Sequence, residues 1–398
     1  MAGPLEGIKV VEMGVWVAGP SCAAILADWG AEVIKIEPPT GDPFRGLFAG
    51  LGLGNLNPPF ELDNRGKKSI SLNLEHPDGL AVGQRLIDEA DVFVSNMRPR
   101  VLEKYGLSYE ACAARNPRLV YAQLSGYGSD TDEANRASYD VGAFWSRAGV
   151  GASLATPGNP PPQQRGGMGD HMTGANGAGA VSAALYSRER TGKGQRVAVS
   201  LLRVGAYMMG WDLNTHLRTG FPIIPTDRFH APNPIINSFC DSEGRWFWLL
   251  LLQYDRHWPD LVRALGAERL NDDPRFNNAL ARRENVEAFV AELDAIFATR
   301  TLAEWSVIFD RENVWFAPVQ NLAEVAADPL AQQAGAFIEI ETVDGPMRQV
   351  ATPADFYGTP LGERTWAPEL GQDTEQILLD LGYDWDKIIA LKEAGAIP

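Results

Sequence analysis

One carboxylate stands in an unusual stretch of the chain, residues 165–180, "RGGMGDHMTGANGAGA". Asp170 and His171 follow a glycine-rich loop and begin a run of small residues that is typical of a helix start. The aspartate fits two roles: a cap for the first helical turn, or a nucleophile that becomes acylated. Capping leaves the six glycines of this stretch unexplained, because a glycine inside a helix costs about 1 kcal/mol relative to alanine. Their number indicates that another group approaches this backbone closely.

The elements that must position Asp170 follow a strand–helix–strand pattern. A β-branched run at 8–13 is followed by an apolar segment ending at a glycine and by a second β-branched run at 31–37. Further strands are predicted at 91–96, 118–128 and 196–202. Units of this kind predict an α/β fold with a doubly wound parallel sheet.

The first strand–helix loop, "GVWVAGP" at 14–20, is where a dinucleotide-binding fingerprint would lie. Its third position is Trp16 instead of glycine, so a nicotinamide-dependent dehydrogenase is disfavoured. Glu37 could imitate the acid that holds the ribose of NAD, but a solvated strand end explains it more simply. We expect a ligand beyond the carboxyl ends of these strands, where sheets of this type bind them.

A smaller domain is predicted in the second half of the chain. Four prolines between residues 222 and 234 mark a linker. Beyond it, "NSFCDSEGRWFWLLLL" predicts a β-hairpin with its turn at "DSEG", and helices are predicted over much of 255–312. Helical patterns return in the tail. The middle of the chain therefore predicts a small α+β domain.

Composition and charge exclude several classes of protein. With 398 residues the chain exceeds the usual size of a single core, which predicts two domains or one large domain with an insertion. A formal charge of −16 argues against nucleic acid or an anionic membrane as partner, because most of the surface would repel them. The longest apolar run, Trp246 to Leu252, is too short to span a bilayer, and no secretory signal is visible.

Cysteines and histidines show no disulfide or metal-binding pattern. Cys22, Cys112 and Cys240 lack CxxC spacing and indicate reduced thiols in a cytoplasmic protein. The five histidines form no HExxH or similar set, so no metal site is predicted.

Basic and polar residues are concentrated in loops near the predicted ligand edge. They are Lys35, Arg65, Lys67, Lys68, Asn96, Arg98, Arg100 and Lys104. A single cluster of this kind is usually a solvated surface. However, four of the eight lysines of an acidic chain lie here, which favours a small polyanionic ligand.

Stretches along the whole chain match one family in order and spacing. They are "AGPSCAAILADWGAEVIKIEPPTGDPFR", "NRGKKSISLNL", "ADVFVSNMRPRVLEKYGLSYE", "NPRLVYAQLSGYG", "YDVGAFWSRAG", "GDHMTGANGAGAVSAAL", "RERTGKGQRVAVSLL", "WFAPVQNLAEVAADPL" and "LLDLGY". The sequence resembles the class III CoA-transferases, which include formyl-CoA transferase and crotonobetainyl-CoA:carnitine CoA-transferase and are related to α-methylacyl-CoA racemase.

The resemblance implies a homodimer of two interlocked rings. Each chain would have a Rossmann-like large domain with a parallel sheet and a smaller α+β domain. The implied boundaries are 1–202 for the N-terminal part of the large domain, 203–235 for a linker, 236–317 for the small domain, 318–350 for a second linker, and 351–398 for the C-terminal part of the large domain. Long linkers would let each chain pass through its partner.

The resemblance also assigns a role to Asp170. The matching aspartate of the family attacks the donor acyl-CoA thioester, giving a mixed anhydride and free CoA thiolate, and an aspartyl-CoA thioester follows. Acyl-CoA and a free carboxylic acid are then the substrates, and no tightly bound cofactor is implied.

Two further sets of residues match the family's site. The CoA contacts are Val15, Trp16, Val17, Ala18, Lys68, Asn96, Met97, Arg98 and Lys104. The substrate pocket comprises Trp16, Tyr139, Asp140 and His171. Loop 15–18 would line the thioester region, Arg98 and Lys104 would hold the CoA phosphates, and Asn96 and Met97 would lie around its pantetheine and adenine. The loop tryptophan either shapes acyl selectivity or packs in a core.

A racemase is the main alternative. In those relatives a His-Asp pair occupies the positions of Tyr139 and Asp140, and the histidine moves the α-proton. A phenol with a pKa of about 10 is a poor base at neutral pH. His171 does not readily replace it, because adjacent helix residues point in different directions, and it could instead line the pocket or cap the helix.

Two further features narrow the function. The intact G-D-x-x-T-G segment, beginning at Gly169, disfavours a non-catalytic CoA-binding protein, which would need no carboxylate there. The run of four glycines that covers the intermediate in formyl-CoA transferase is absent from the sequence, which disfavours formyl or oxalyl specificity.

Overall fold

A six-stranded parallel sheet forms the centre of the larger part of the molecule. The computed structural model describes residues 3–48, 56–342 and 345–398. The strands of the sheet are β1 (Lys9–Met13), β2 (Glu32–Glu37), β3 (Lys67–Ser71), β4 (Val92–Ser95), β5 (Val120–Ser125) and β6 (Arg196–Ser200). Their order is β3-β2-β1-β4-β5-β6, and all neighbours are parallel, which confirms the predicted sheet. The order reverses between β1 and β4, so the loops after these strands form a crevice at the carboxyl edge.

Helices cover both faces of this sheet. The helices of this part of the chain are α1 (Ala18–Asp28), α2 (Pro58–Asn64), α3 (Pro77–Asp88), α4 (Pro99–Lys104), α5 (Tyr109–Arg115), α6 (Val150–Ser153), α7 (Met168–Thr191), α8 (Leu201–Met208) and α9 (Gly210–Thr219). A π-helical segment, Val141–Arg147, precedes α6, and a short 3₁₀ turn spans Pro43–Gly46. Val10 and Val33 share one core with α1 and α7, while Val11 and Ile36 face the opposite core with α3.

A three-stranded antiparallel sheet organises the middle of the chain. Its strands are β7 (Ile236–Cys240), β8 (Trp246–Leu250) and β9 (Phe316–Pro318). Its helices are α10 (Tyr254–Leu265), α11 (Ala279–Glu284), α12 (Val286–Phe297), α13 (Leu302–Glu312), α14 (Leu322–Ala327) and α15 (Pro329–Gln333), with 3₁₀ turns at Arg228–His230 and Glu268–Asn271. The hairpin predicted from the "DSEG" turn is β7–β8, where the Asp241 carboxylate accepts hydrogen bonds from the N–H groups of Glu243 and Arg245.

The tail returns to the large sheet. A hairpin of β10 (Phe337–Thr342) and β11 (Gly345–Val350) precedes α16 (Thr374–Asp380) and α17 (Trp385–Glu393). Ile377 and Ile388 of the two helices lie in the same core as Val11 and Ile36. The Ser69 N–H of β3 donates to the Asp373 carboxylate at 2.8 Å.

The chain divides into two units. The larger comprises Met1–Ala152, Gln163–Pro222 and Ala334–Pro398, and the smaller comprises Ser153–Pro162 and Ile223–Gln333. Both segments predicted as linkers contain ordered elements: most of α8 and all of α9 lie within 203–235, and α14, α15, β10 and β11 lie within 318–350. A reciprocal cap explains α14, since Asn321 accepts from the N–H of Glu324 while the Glu324 carboxylate accepts from the N–H of Asn321.

Glycines allow α7 to pack closely on its neighbours. A Cβ at Gly174 would lie 2.1 Å from the Ser21 Oγ of α1, and one at Gly177 would lie 3.0 Å from the Cys22 Sγ. A Cβ at Gly169 would lie 2.3 Å from an Asp140 oxygen. Three of the glycines around Asp170 are therefore packing positions, and they fix the first turn of α7 beside α1.

Candidate active site

Asp170 is the third residue of α7, whose start is preceded by Gly167 at a φ of +77°. Its side chain is half-buried and accepts no hydrogen bond from any described residue. The capping bond comes from elsewhere, because the Gly169 N–H donates to the Asp140 carboxylate at 3.0 Å. The helix-capping role considered for Asp170 is thus filled by Asp140.

Burial raises the pKa of the Asp170 carboxyl to about 7. The charges of Asp140 and Asp63 act in the same direction, and His171 opposes them. A substantial fraction of the side chain is therefore still protonated at neutral pH, and the ionised form is poorly solvated.

His171 is anchored by a buried carboxylate. Its Nε2 lies 3.0 Å from the Asp63 Oδ1, while the Asp63 Oδ2 is buried without a hydrogen-bond partner among the described residues. Burial disfavours the charged imidazole, but the hydrogen bond and charge of Asp63 outweigh this cost and raise the pKa of His171. Burial likewise raises the pKa of Asp63, against the opposing effect of His171. We call Asp63, Asp140, Asp170 and His171 the acid cluster.

Trp16 holds a conformation that is rare for a residue with a side chain. Its φ is +64°, in the left-handed region that favours glycine. Its N–H donates to the Asp42 Oδ1 at 3.1 Å, and its ring meets Tyr139 edge-on, with centroids 5.7 Å apart. The centroid of the Trp16 ring also lies 5.9 Å from that of Phe44. The structure thus brings the first loop and the segment at Tyr139 together around one half-buried indole.

The loops after β1 and β4 are joined at the point where the strand order reverses. The Asn96 Oδ1 accepts from the Val15 N–H at 3.0 Å, and its Nδ2 donates to the Val15 carbonyl at 2.7 Å. Both hydrogen-bonding groups of the Val15 backbone are thereby satisfied by one side chain. Asn96 orders this crevice from within it.

Several basic residues predicted to face a ligand are instead buried in ion pairs. Lys35 donates to Glu12 at 3.0 Å and to Asp42 at 3.1 Å, and Lys67 donates to Glu12 at 2.8 Å. We call Glu12, Lys35, Asp42 and Lys67 the ion network. Burial lowers the pKa of Lys67 to about 8. Arg65 is also buried, against Asp28 at 2.7 Å. The prediction that Lys35, Arg65 and Lys67 form a cationic surface is wrong, because partners neutralise all three.

The other basic positions lie in three different settings. Lys68 pairs with Glu32 at 2.8 Å, and its β3 neighbour Ile70 belongs to the core on the face of the sheet opposite α1 and α7. Lys104 is exposed and pairs with Glu75. Arg98 is exposed and makes no side-chain ion pair or hydrogen bond with the residues that the structure describes. Arg100 is likewise exposed and without a side-chain ion pair among the described residues, so Arg98 and Arg100 are the unneutralised members of the predicted set, and Arg98 lies two positions after Asn96.

Three remaining predictions concern Met97, Val17 and Ala18. The Met97 N–H donates to the Ser95 Oγ at 3.2 Å, and Met97 packs partly against the core that contains Val11. Val17 is half-buried, and Ala18 is the buried first residue of α1. Met97 and Val17 thus lie on the loops that follow β4 and β1, and Ala18 lies at the end of the second of these loops, where α1 begins.

Sequence patterns missed Asp63 and Asp42. Asp63 lies in α2, immediately before the quoted "NRGKKS", and its contact with His171 joins residues 108 positions apart. Asp42 precedes a proline in "GDPFR" and caps the turn at Pro43–Gly46. The available signal was an acid inside a family stretch for Asp42 and directly before one for Asp63.

Other reactive centres are not found in the described ranges 3–48, 56–342 and 345–398. Within them, no group of three or more histidines, cysteines or acids could hold a metal ion. Burial raises the pKa of the Cys22 thiol to about 12, so it is no nucleophile at neutral pH. No helix over the same ranges is long and apolar enough to cross a membrane.

Comparison with known proteins gives full-length matches. A profile of the CoA-transferase family III matches residues 5–374. The chain is 35% identical over 398 residues to (R)-2-hydroxy-4-methylpentanoate CoA-transferase of Clostridioides difficile, covering 99% of each chain. It is 31% identical to cinnamoyl-CoA:phenyllactate CoA-transferase of Clostridium sporogenes, covering 98% of this chain and 96% of that one. The crystal structure of a CAIB/BAIF family protein from Brucella suis matches with a TM-score of 0.85 at 29% identity, covering 96% of this chain and 100% of that one.

Proposed function

Because the chain belongs to the CoA-transferase family III, we propose that Asp170 is the nucleophile through which it transfers CoA. The protein is an acyl-CoA:carboxylate CoA-transferase. The observation that supports this role for Asp170 is its carboxylate, half-buried and without a hydrogen-bond donor among the described residues, in the first turn of α7. Such an anion is weakly solvated, which favours attack on a carbonyl carbon.

The proposed reaction proceeds through three covalent forms of Asp170. Its carboxylate attacks the donor thioester, the C–S bond breaks, and a mixed anhydride and CoA thiolate result. The thiolate attacks the aspartyl carbonyl, which releases the donor acid and leaves an aspartyl-CoA thioester. The acceptor carboxylate then displaces the thiolate to form a second anhydride. The thiolate finally takes the new acyl group and restores the carboxylate.

The crevice between β1 and β4 is the proposed CoA site. Loop 15–18 would lie along the thioester and pantetheine, with Asn96 and Met97 beside it. Arg98, exposed and without an ionic partner in the described part of the chain, would bind the phosphates. Lys104 would contribute only by leaving Glu75. We omit Lys68 from this site because it pairs with Glu32.

The acyl pocket would be bounded by the aromatic group of Trp16, Phe44 and Tyr139. An aromatic lining of this kind suits a branched or aryl acyl chain better than a formyl group. Two relatives are named for 2-hydroxy acids with such chains, 2-hydroxy-4-methylpentanoate and phenyllactate. We therefore propose bulky 2-hydroxy acids as the first acceptors to test. The proposed chemistry needs no bound cofactor besides CoA.

An interlocked homodimer is the proposed assembly. Large apolar side chains in and beside α8 and α9 are exposed in the single chain, with Tyr207 at 87% and Trp211 at 88%, and Leu217 and Phe221 are also exposed. Several large exposed apolar side chains on one segment favour burial by a partner. We also propose a cytoplasmic location, which the three free cysteines support.

The test of Asp170 is a single turnover without acceptor. Native protein mixed with an accepted acyl-CoA should release CoA up to the concentration of sites, and hydroxylamine should trap the acyl group as a hydroxamate. Asp170→Asn should do neither. Asp386→Asn, which likewise changes an acid in the first turn of a helix but at an exposed position, should behave as the native protein.

The same assay separates the racemase alternative. A racemase would carry solvent deuterium into the α-carbon of a 2-methylacyl-CoA and leave Asp170 unmodified. That result would overturn the proposed function.

A further inference from the structure

His171 and Asp63 form a pair that the transfer through Asp170 does not use. The Nε2 of the ring lies 3.0 Å from the Asp63 Oδ1. A buried carboxylate fixes one edge of the imidazole and thereby selects the tautomer with hydrogen on Nε2.

The opposite edge of the ring is uncovered. The side chain of His171 is 43% exposed, and its Nδ1 has no hydrogen-bond partner among the residues that the structure describes. A side chain at Gly167 would begin 3.0 Å from Cε1 and 3.2 Å from Nδ1. Glycine at 167 therefore leaves Nδ1 open on the same first turn of α7 that carries Asp170.

Asp63 is itself held rigidly. Its backbone carbonyl accepts from the Lys67 Nζ at 2.7 Å, and the same ammonium donates to the buried Glu12 at 2.8 Å. Only 2% of the Asp63 side chain is exposed, so it reaches no substrate. Its effect on the reaction must pass through His171.

We propose that His171, oriented by Asp63, is a second catalytic group that protonates the sulfur of CoA when the donor thioester opens and removes that proton when the sulfur returns as nucleophile. This inference rests on the proposed function of Asp170. Asp63 acts as a positioning residue.

The proton balance of the first step is as follows. Ionised Asp170 bonds to the acyl carbon, the C–S bond breaks, and the Nδ1–H of protonated His171 passes to the sulfur. The products are the mixed anhydride, the neutral thiol and neutral imidazole. In each step where sulfur attacks a carbonyl, the neutral imidazole accepts the thiol proton again. An imidazole whose pKa is raised by neighbouring carboxylates can exchange a proton with a thiol, which also titrates above neutral pH.

Charges from three elements act on the ring. Asp63 of α2, Asp140 before the π-helical segment, and the neighbouring Asp170 all favour the protonated imidazole. The protonated ring in turn favours the ionised form of Asp170. The first step needs Asp170 ionised and His171 protonated, so its rate should rise and then fall with pH.

The test follows the pH profile of CoA release in a single turnover. His171→Gln should reduce the rate at least ~100-fold at neutral pH, the scale of general acid–base catalysis. In the pH profile of His171→Gln, the falling limb should disappear. The rising limb should move to higher pH, because the variant lacks the imidazolium that opposes protonation of Asp170. Asp63→Asn keeps an acceptor for the ring but removes the charge, so its falling limb should move to lower pH.

His230→Gln is the matched control. His230 also pairs with an aspartate, Asp227 at 2.7 Å, on the exposed surface of the smaller unit. The His230→Gln variant should keep the native pH profile of CoA release. A structural role for His171 would lower the active fraction without moving either limb, and unchanged limbs in His171→Gln would overturn the inference. Absence of CoA release from the native protein would instead refute the nucleophilic role of Asp170.

Discussion

The ion network and the acid cluster touch each other in the larger unit and differ in how completely their charges are neutralised. The ion network has two lysines for two carboxylates, and all four side chains are fully or almost fully buried in mutual contact. The acid cluster has one imidazole for three carboxylates, and two of its buried oxygens lack a partner among the described residues. Neutralised buried charges hold a loop in place, whereas unneutralised ones favour chemical reaction.

Removing one charged partner from the ion network should destabilise the fold. Glu12→Gln leaves Lys35 and Lys67 sharing a neutral amide, so the free energy of unfolding should fall by about 3–5 kcal/mol. Urea denaturation at pH 7 measures this loss. Glu32→Gln breaks the exposed pair with Lys68 and should cost at most about 1 kcal/mol. Equal losses of unfolding free energy in Glu12→Gln and Glu32→Gln would contradict the structural role of the ion network.

Removing one charge from the acid cluster should instead stabilise the fold. The pKa of Asp170 is raised to about 7, so its ionisation opposes folding increasingly as pH rises from about 4 to 7. Asp170→Asn should therefore stabilise the fold at pH 8 by about 1–3 kcal/mol after allowance for solvent screening, and by little at pH 4. Denaturation curves at the two pH values test this. Destabilisation at pH 8 would show that Asp170 has a structural role.

A smaller effect, on acyl-CoA binding, should distinguish Arg98 from Lys104. Arg98→Ala should weaken acyl-CoA binding about 10-fold, and more strongly at low salt, because an unpaired guanidinium can bind phosphate directly. Lys104→Ala should weaken it by about 2-fold or less, since Glu75 already neutralises that lysine. Titration with a slowly reacting acyl-CoA analogue measures both. Equal losses of affinity in the two variants would contradict the proposed contact between Arg98 and the CoA phosphates.

Local sequence patterns predicted the parts of this molecule that local physics determines. The β-branched runs around Val10 and Val33 predicted parallel strands, and the glycine-rich stretch drew attention to Asp170. The family resemblance that rests on the quoted stretches is confirmed. These features depend on residues close together in the chain.

Long-range partners could not be predicted in the same way. Lys35 and Lys67 look like surface charges in the sequence, because nothing nearby shows that Glu12 meets both inside the fold. The pairing of Asp63 with His171 depends on how α2 lies against α7. The packing role of Gly174 became visible only with Ser21 opposite it.

Oxygen transfer to Asp170 tests the central claim most directly. The native protein would be turned over with unlabelled acyl-CoA and an acceptor acid carrying ¹⁸O in both carboxylate oxygens, and the peptide containing Asp170 would be weighed by mass spectrometry. Each turnover through the second anhydride leaves one acceptor oxygen on the aspartate, so Asp170 should gain ¹⁸O while the other carboxylates, including Asp140, should not. Turnover that leaves Asp170 unlabelled would contradict covalent transfer through this residue.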